Sequence, residues 1–253
     1  MDLGLTDKVF VVTAASAGLG LATARVLVAE GARVVLVARR EQALAEAVAE
    51  LGPERAAAVA GDLATPELAG QVCRFAVQQW GRLDGALISV GGPPRGAVLE
   101  MTDQEWRQSF DTVFLPALRM VRDVVTFGTA DDLAIGVVLS TSVRVPLPGM
   151  AISNGLRPGL AMLIKQLADE LGPEGTRILG LMPGSIETER LAELMAAEPD
   201  PEQAIARAAS RIPLRRLGRP EEFGRVAAFA LSPMASYVTG SMIAIDGGSL
   251  RTP

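Results

Sequence analysis

The sequence predicts an α/β protein built on a single doubly wound parallel sheet of about seven strands, with helices on both faces in the Rossmann-like manner. Three observations carry this. Short apolar runs of strand length alternate along the chain with longer stretches whose apolar residues recur at three- and four-residue steps. The strand runs are apolar on both faces, as strands covered by helices on each side must be. The chain has 253 residues, 49% hydrophobic and 21% charged, enough for one large core and too few for two, so a single domain over residues 1–253 is expected.

The predicted strands are Val9 to Thr13, Arg33 to Ala38, Ala56 to Ala60, Leu83 to Ser89, Gly136 to Thr141, Arg177 to Met182 and Met242 to Ile245. Between them the helical period runs over Leu19 to Glu30, Glu41 to Leu51, Pro66 to Trp80, Asp103 to Phe127, Gly159 to Leu171 and Glu221 to Leu231. This alternation calls for right-handed crossovers. Pro158 removes a helix N–H and disfavours α geometry at Arg157, which predicts a helix that begins or kinks there, with Ser153 and Asn154 as N-cap residues. Residues 184–218 form a longer excursion rich in Pro, Glu and Arg, suited to a flap over a site.

Composition excludes several chemistries. There is no histidine, which removes Ser-His-Asp, Cys-His and His-ligated metal sites, and one cysteine, Cys73, allows neither an intramolecular disulfide nor a thiolate cluster. No metal site is expected, and a reducing cytoplasm fits. A net charge of −5 argues against nucleic acid, whose phosphates need a basic face. No apolar run reaches bilayer length and Met1-Asp2-Leu3-Gly4 lacks a signal-peptide pattern, so no membrane association is expected. Of the 24 basic residues only Lys8 and Lys165 are lysines, so an arginine in this chain can reflect composition alone.

The first strand-to-helix junction reads Thr13-Ala14-Ala15-Ser16-Ala17-Gly18-Leu19-Gly20. Glycine lets the backbone approach a pyrophosphate, and a helix N-terminus offers unpaired N–H groups; an ordinary tight turn would use the same residues. Later come Gly61-Asp62-Leu63, Pro183-Gly184-Ser185-Ile186-Glu187-Thr188, Thr239-Gly240 and Asp246-Gly247-Gly248. With these four segments in order, from about Lys8 to Gly248, the chain resembles the short-chain dehydrogenase/reductase family. The family loop is Thr-Gly-x-x-x-Gly-x-Gly, and Ala14 replaces its first glycine.

The resemblance implies a nicotinamide dinucleotide held by Thr13, Ser16, Gly18, Leu19 and Gly20, by Asp62 and Leu63 near adenine, by Ser89 and Gly91 after the fourth strand, by Arg157 at the ribose, and by Pro183, Gly184, Ile186 and Thr188 beside the nicotinamide. Arg39 and Arg40 stand where a carboxylate would bind the adenosine ribose hydroxyls. Guanidinium groups bind a 2′-phosphate through paired charged hydrogen bonds, which implies NADP(H) rather than NAD(H).

The family's catalytic set departs more. Its usual Asn, Ser, Tyr and Lys fall here on Val113, Ser142, Ser153 and Arg157, so Tyr-x-x-x-Lys becomes Ser-x-x-x-Arg. Ser142, Ser153 and Arg157 are the candidate catalytic residues. Serine is a far weaker acid than tyrosine near pKa 10, and arginine stays protonated, so neither replaces the lost proton donor. The only tyrosine, Tyr237, lies in a Ser-Tyr-Val-Thr-Gly segment read as structural. The expected activity is NADP(H)-dependent hydride transfer to or from a small carbonyl or alcohol, 3-oxoacyl reductase-like, with an atypical site. The alternatives are a catalytically silent NADP(H)-binding protein with a regulatory or structural role, and an isomerase or lyase on the same fold. Apolar stripes on the two central helices suggest a homodimer or homotetramer.

Overall fold

A computed structural model describes residues 2–196 and 199–252. The seven predicted strands form one parallel sheet in the order β3-β2-β1-β4-β5-β6-β7. They are β1 (Val9–Thr13), β2 (Arg33–Ala38), β3 (Ala56–Ala60), β4 (Gly85–Ile88), β5 (Ala134–Val138), β6 (Arg177–Pro183) and β7 (Met242–Ile245). Side chains alternate between two cores. Val9 and Val11 face Val72, Met120 and Ile164 of α3 (Leu68–Trp80), α5 (Leu115–Phe127) and α6 (Ala151–Leu171). Phe10 and Val12 face Leu27, Leu44 and Phe223 of α1 (Gly18–Ala29), α2 (Glu41–Leu51) and α9 (Pro220–Leu231).

Fully burying such side chains contributes roughly 1.5–3 kcal/mol each, which is why doubly buried strands were readable as unbroken apolar runs. Where α1 crosses α9 the backbones nearly touch: a Cβ on Gly224 would lie 2.7 Å from the Ala22 carbonyl oxygen, so only glycine fits. Cys73 is sealed in the first core, and burial, with Asp123 nearby, pushes its thiol up to about 12. A thiol so placed is inert.

Several elements depart from expectation. β5 was expected over Gly136 to Thr141 but spans Ala134–Val138, because its ladder starts where Ala134 pairs with Gly85 and Arg177. Beyond it Ser140 Oγ accepts a hydrogen bond from Ser142 N at 3.1 Å, and the chain turns through a 3₁₀ segment, Thr141–Val143. The single helix expected over Asp103 to Phe127 is interrupted: α4 (Asp103–Ser109) opens on a Thr102–Glu105 capping box, then a π turn spans Phe110–Phe114 before α5. The π turn holds Val113 in the core.

The largest correction concerns α6, which begins at Ala151 and continues through Pro158. Ser153 and Asn154 are therefore helical residues rather than N-caps; Met150 occupies that position, without a side-chain cap. Tertiary packing overrides the proline. Gly155 and Gly159, one turn apart, let the helix seat against Trp106 and Phe114: a Cβ at Gly155 would lie 2.6 Å from the Trp106 ring, and one at Gly159 would lie 3.2 Å from Phe114. Asn154 clasps the incoming loop, its Oδ1 accepting from Leu147 N at 3.0 Å and its Nδ2 donating to Leu147 O at 2.9 Å.

The 184–218 excursion contains two helices that the sequence reading did not foresee, α7 (Glu189–Ala196) and α8 (Pro201–Arg211), the latter capped by Asp200. Its two ends meet in a bridge between Ile186 and Gly218. Tyr237, read as structural, is fully exposed. It follows α9 and precedes β7, at the N-terminal end of the sheet. Among the described residues no helix is long and apolar enough to cross a membrane.

Two substitutions test this packing. Gly155→Ala gains about 1 kcal/mol in helix propensity but overpacks against Trp106 by about 1–3 kcal/mol, so the expected net is a loss of about 1 kcal/mol in urea unfolding. An unchanged or raised midpoint would disprove the seating. Ala14 has φ +51°, a left-handed conformation that costs a non-glycine residue roughly 1–2 kcal/mol. Glycine relieves it, less its larger unfolded-state entropy of about 0.5–1 kcal/mol, so Ala14→Gly should raise Tm by about 1–4 °C. A calorimetric scan showing a fall would count against that backbone conformation.

Candidate active site

Strand order reverses between β1 and β4, since β1 is followed on one side by β2 and on the other by β4. Crevices at such a switch point, beyond the C-terminal ends of the strands, are where open α/β sheets bind ligands. The residues singled out from sequence lie at that edge. Thr13 ends β1, and its Oγ1 donates to Ser89 O at 2.6 Å and accepts from Ser89 N at 2.7 Å, fastening the glycine-rich loop to the loop after β4. In that second loop a Cβ on Gly91 would meet nothing within 4 Å, so the backbone borders open space.

The glycine-rich loop uses its glycines for two different reasons. Gly18 has φ +55°, and Gly20 packs so closely that a Cβ would lie 2.6 Å from the Ala14 carbonyl. Between them Leu19, in the first turn of α1, joins the second core from its edge. A Cβ on Gly18 would stand 3.5 Å from Thr188, which places the glycine-rich loop against the Pro183–Thr188 segment. Thr188 Oγ1 accepts from Leu191 N at 3.3 Å, capping the start of α7. Pro183 ends β6, Gly184 abuts Asp246 of the C-terminal turn, and Ile186 is buried at the flap base.

At the end of β2, Arg39 is exposed and makes no side-chain hydrogen bond or ion pair among the described residues. Arg40 is engaged: Nε and Nη2 each lie 3.4 Å from Ser16 Oγ, and Nη2 lies 3.1 Å from Glu189 Oε2. Asp62, after β3, is exposed and accepts from Ala64 N at 2.9 Å, while Leu63 packs against the first core.

The candidate catalytic residues come together at the end of β5. Ser142 Oγ and Ser153 Oγ are 3.1 Å apart, and both residues are buried. The 3₁₀ turn presents one, and the early turns of α6 present the other. Arg157, one turn further on and also buried, donates from Nη1 to Val138 O at 2.9 Å and to Leu139 O at 3.2 Å. The guanidinium thus holds the end of β5 to α6, and Ser153 is joined to Ser142 instead of to Arg157. Glu189 and Trp106 were missed by sequence reasoning, and Asn154 was read as an N-cap. The i, i+4 pair of glycines at Gly155 and Gly159 was the signal for a close neighbour such as Trp106; Glu189 left none.

Chemically, two hydroxyls at hydrogen-bond distance use one proton between them, leaving the other O–H to donate to a third oxygen. Among the described residues no cluster of His, Cys, Asp and Glu could hold a metal ion, and no buried side-chain N or O lacks a hydrogen-bond partner. A dinucleotide fits the edge by two tests of shape and charge: the backbone at Gly91 borders open space, and an uncommitted guanidinium stands at the end of β2.

Comparison with known proteins agrees with this geometry. The family model described as enoyl-(acyl carrier protein) reductase matches residues 13–249. The A-factor type gamma-butyrolactone 1′-reductase (1S-forming) of Streptomyces virginiae is 34% identical over 249 residues, covering 96% of each chain. The L-sorbose reductase of Gluconobacter frateurii, solved with NADPH and L-sorbose, is 32% identical with a TM-score of 0.93 over 100% of both chains. A short chain oxidoreductase of Pseudomonas aeruginosa PAO1 with an atypical catalytic centre, solved with NADPH, is 29% identical with a TM-score of 0.90, covering 98% of this chain and 100% of the other. With a matching family model over nearly the whole chain and the same seven-stranded architecture, this chain belongs to the short-chain dehydrogenase/reductase family of oxidoreductases.

Proposed function

We propose that this chain is an NADP(H)-dependent oxidoreductase that transfers hydride between the nicotinamide and a small carbonyl or alcohol, 3-oxoacyl reductase-like, with an atypical active site. The observation that carries it is the buried Ser142–Ser153 hydroxyl pair, 3.1 Å apart, at the ligand-binding edge of the sheet. The relatives solved with NADPH support the cofactor, and Arg39, exposed and uncommitted, supports the preference over NAD(H). Thr13, Ser16, Gly18, Leu19 and Gly20 would hold the pyrophosphate, Arg39 and Arg40 the 2′-phosphate, and Asp62 and Leu63 the adenine. Ser89, Gly91, Pro183, Gly184, Ile186 and Thr188 would border the nicotinamide half.

When bound, NADPH supplies the hydride. The protein's part is to orient: the free O–H of the serine pair donates to the carbonyl oxygen, and Arg157 braces the β5 end that carries Ser142. A positioned general acid contributes about 10²- to 10⁴-fold, and serine cannot supply it near neutrality. Water or the substrate itself delivers the proton, and the enzyme is correspondingly slow. Residues 184–218 act as a flap on one dinucleotide-binding domain, in a cytoplasmic setting. The exposed apolar side chains of Phe110, on the π turn before α5, and Met162, on α6, support a homodimer or homotetramer.

A second reading, a silent NADP(H)-binding protein with a regulatory or structural role, is favoured by one observation: the Arg157 Nη1 hydrogen bonds go to main-chain carbonyls. Of two experiments, the first tests the cofactor that both readings share and the second separates them. Arg39→Ala should remove most of the preference for NADPH over NADH in fluorescence titrations; equal affinities in the wild type would refute the cofactor assignment. Ser153→Tyr with Arg157→Lys should raise ketone or β-keto ester reduction by up to about 10²-fold, below the full general-acid factor because Val113 still interrupts the family's water relay, and Ser142→Ala should abolish the gain. A double variant that binds NADPH normally without any gain would leave the silent binder as the better reading.

A further inference from the structure

The Arg40–Glu189 ion pair crosses the crevice between two segments that are otherwise 149 residues apart in sequence. Arg40 leaves β2 beside Ser16 of the glycine-rich loop, and Glu189 opens α7 immediately after Thr188, whose methyl group lies against Gly18. The glycine-rich loop, the β2 terminus and the flap therefore converge on one guanidinium. Neither side chain is packed away: Arg40 is 56% and Glu189 63% exposed, so the pair is held by charge and geometry rather than by burial. Arg39 next to it has no such tie.

We infer that Glu189 is a specificity-determining residue, a carboxylate latch that occupies Arg40 until the 2′-phosphate of NADP(H) displaces it and frees the first turn of α7. The inference rests on the NADP(H) reading above and adds to it a competitor and a consequence for the flap. A phosphate monoester carries about −1.5 to −2 charge at pH 7 and three acceptor oxygens, against one charge and two oxygens on a carboxylate. It therefore outcompetes Glu189 for a guanidinium whose fork suits either anion. An exposed pair contributes little, so the latch yields readily, and its removal changes affinity by only a small factor. NAD(H), with hydroxyls at the same place, neither takes Arg40 from Glu189 nor releases the flap. One contact thereby couples the arrival of the 2′-phosphate to the position of the flap.

The test uses NADPH, NADH and adenosine 2′,5′-bisphosphate as ligands, with affinities from fluorescence titration and calorimetry at fixed salt. Glu189→Gln should tighten NADPH and the bisphosphate about two- to fivefold and leave NADH unchanged. In an Arg40→Ala background the same substitution should have no effect, because the contact it relieves is already gone. Amide exchange over Glu189–Ala196 should quicken when the bisphosphate saturates the wild type, and should already be fast in ligand-free Glu189→Gln. Equal tightening of NADPH and NADH, or a gain that persists without Arg40, would show general charge repulsion and overturn the latch while leaving the NADP(H) reading intact. A wild type that binds neither nicotinamide cofactor would overturn both.

Discussion

One hydroxyl holds the two halves of the ligand edge together. Thr13 Oγ1 donates to the Ser89 carbonyl and accepts from the Ser89 amide, so a single side chain joins the ends of β1 and β4 where the strand order reverses. Backbone groups at strand ends lose their ladder partners, and a group left unsatisfied there costs about as much as a lost hydrogen bond. Thr13 satisfies both groups of Ser89 and, in doing so, sets the spacing between the glycine-rich loop and the loop after β4. Gly18 in the first of these loops and Gly91 in the second take their places relative to that frame.

Arginine replaces other chemistry throughout this molecule. Arg177 is buried and donates to the carbonyls of Ala230, Leu231 and Ser232, closing the C-terminal end of α9, and burial lowers its pKa. Arg157 does the same for the end of β5. A guanidinium presents five N–H donors in a fixed fork and can be satisfied by main-chain carbonyls alone, without a buried carboxylate. An arginine-rich, lysine-poor chain can therefore brace its interior with cations.

The sheet was legible because its strands are apolar runs of strand length: β1, β2, β3 and β7 have the bounds that those runs predict, although of these only β1 and the middle of β2 are buried on both faces. β5 was misplaced because Leu139 to Thr141 continues the apolar and β-branched run after the chain has left the ladder, which only pairing with β4 and β6 reveals. α6 was cut short by trusting Pro158, when the deciding contacts lie with Trp106 and Phe114 on elements forty residues away in the fold's wiring. α7 and α8 escaped because the prolines and charges of the excursion outweighed, in the reading, the apolar residues that recur within it at helical steps, such as Leu191 and Met195. Of the site, Ser142, Ser153 and the loop residues were readable by position. The 3.1 Å hydroxyl contact, the turn of Arg157 toward β5 and the reach of Glu189 to Arg40 depend on side-chain direction, which no spacing encodes.

The serine pair and Arg157 have a consequence for how this protein meets its solvent. Histidine is absent from the chain, the sole tyrosine lies at the other end of the sheet, and the one thiol is sealed in a core. Among Ser142, Ser153 and Arg157 no side chain changes charge across the neutral range, for serine and arginine both hold their protons there. The three form a constant field, two dipoles beside one permanent cation, that acidity does not rewrite.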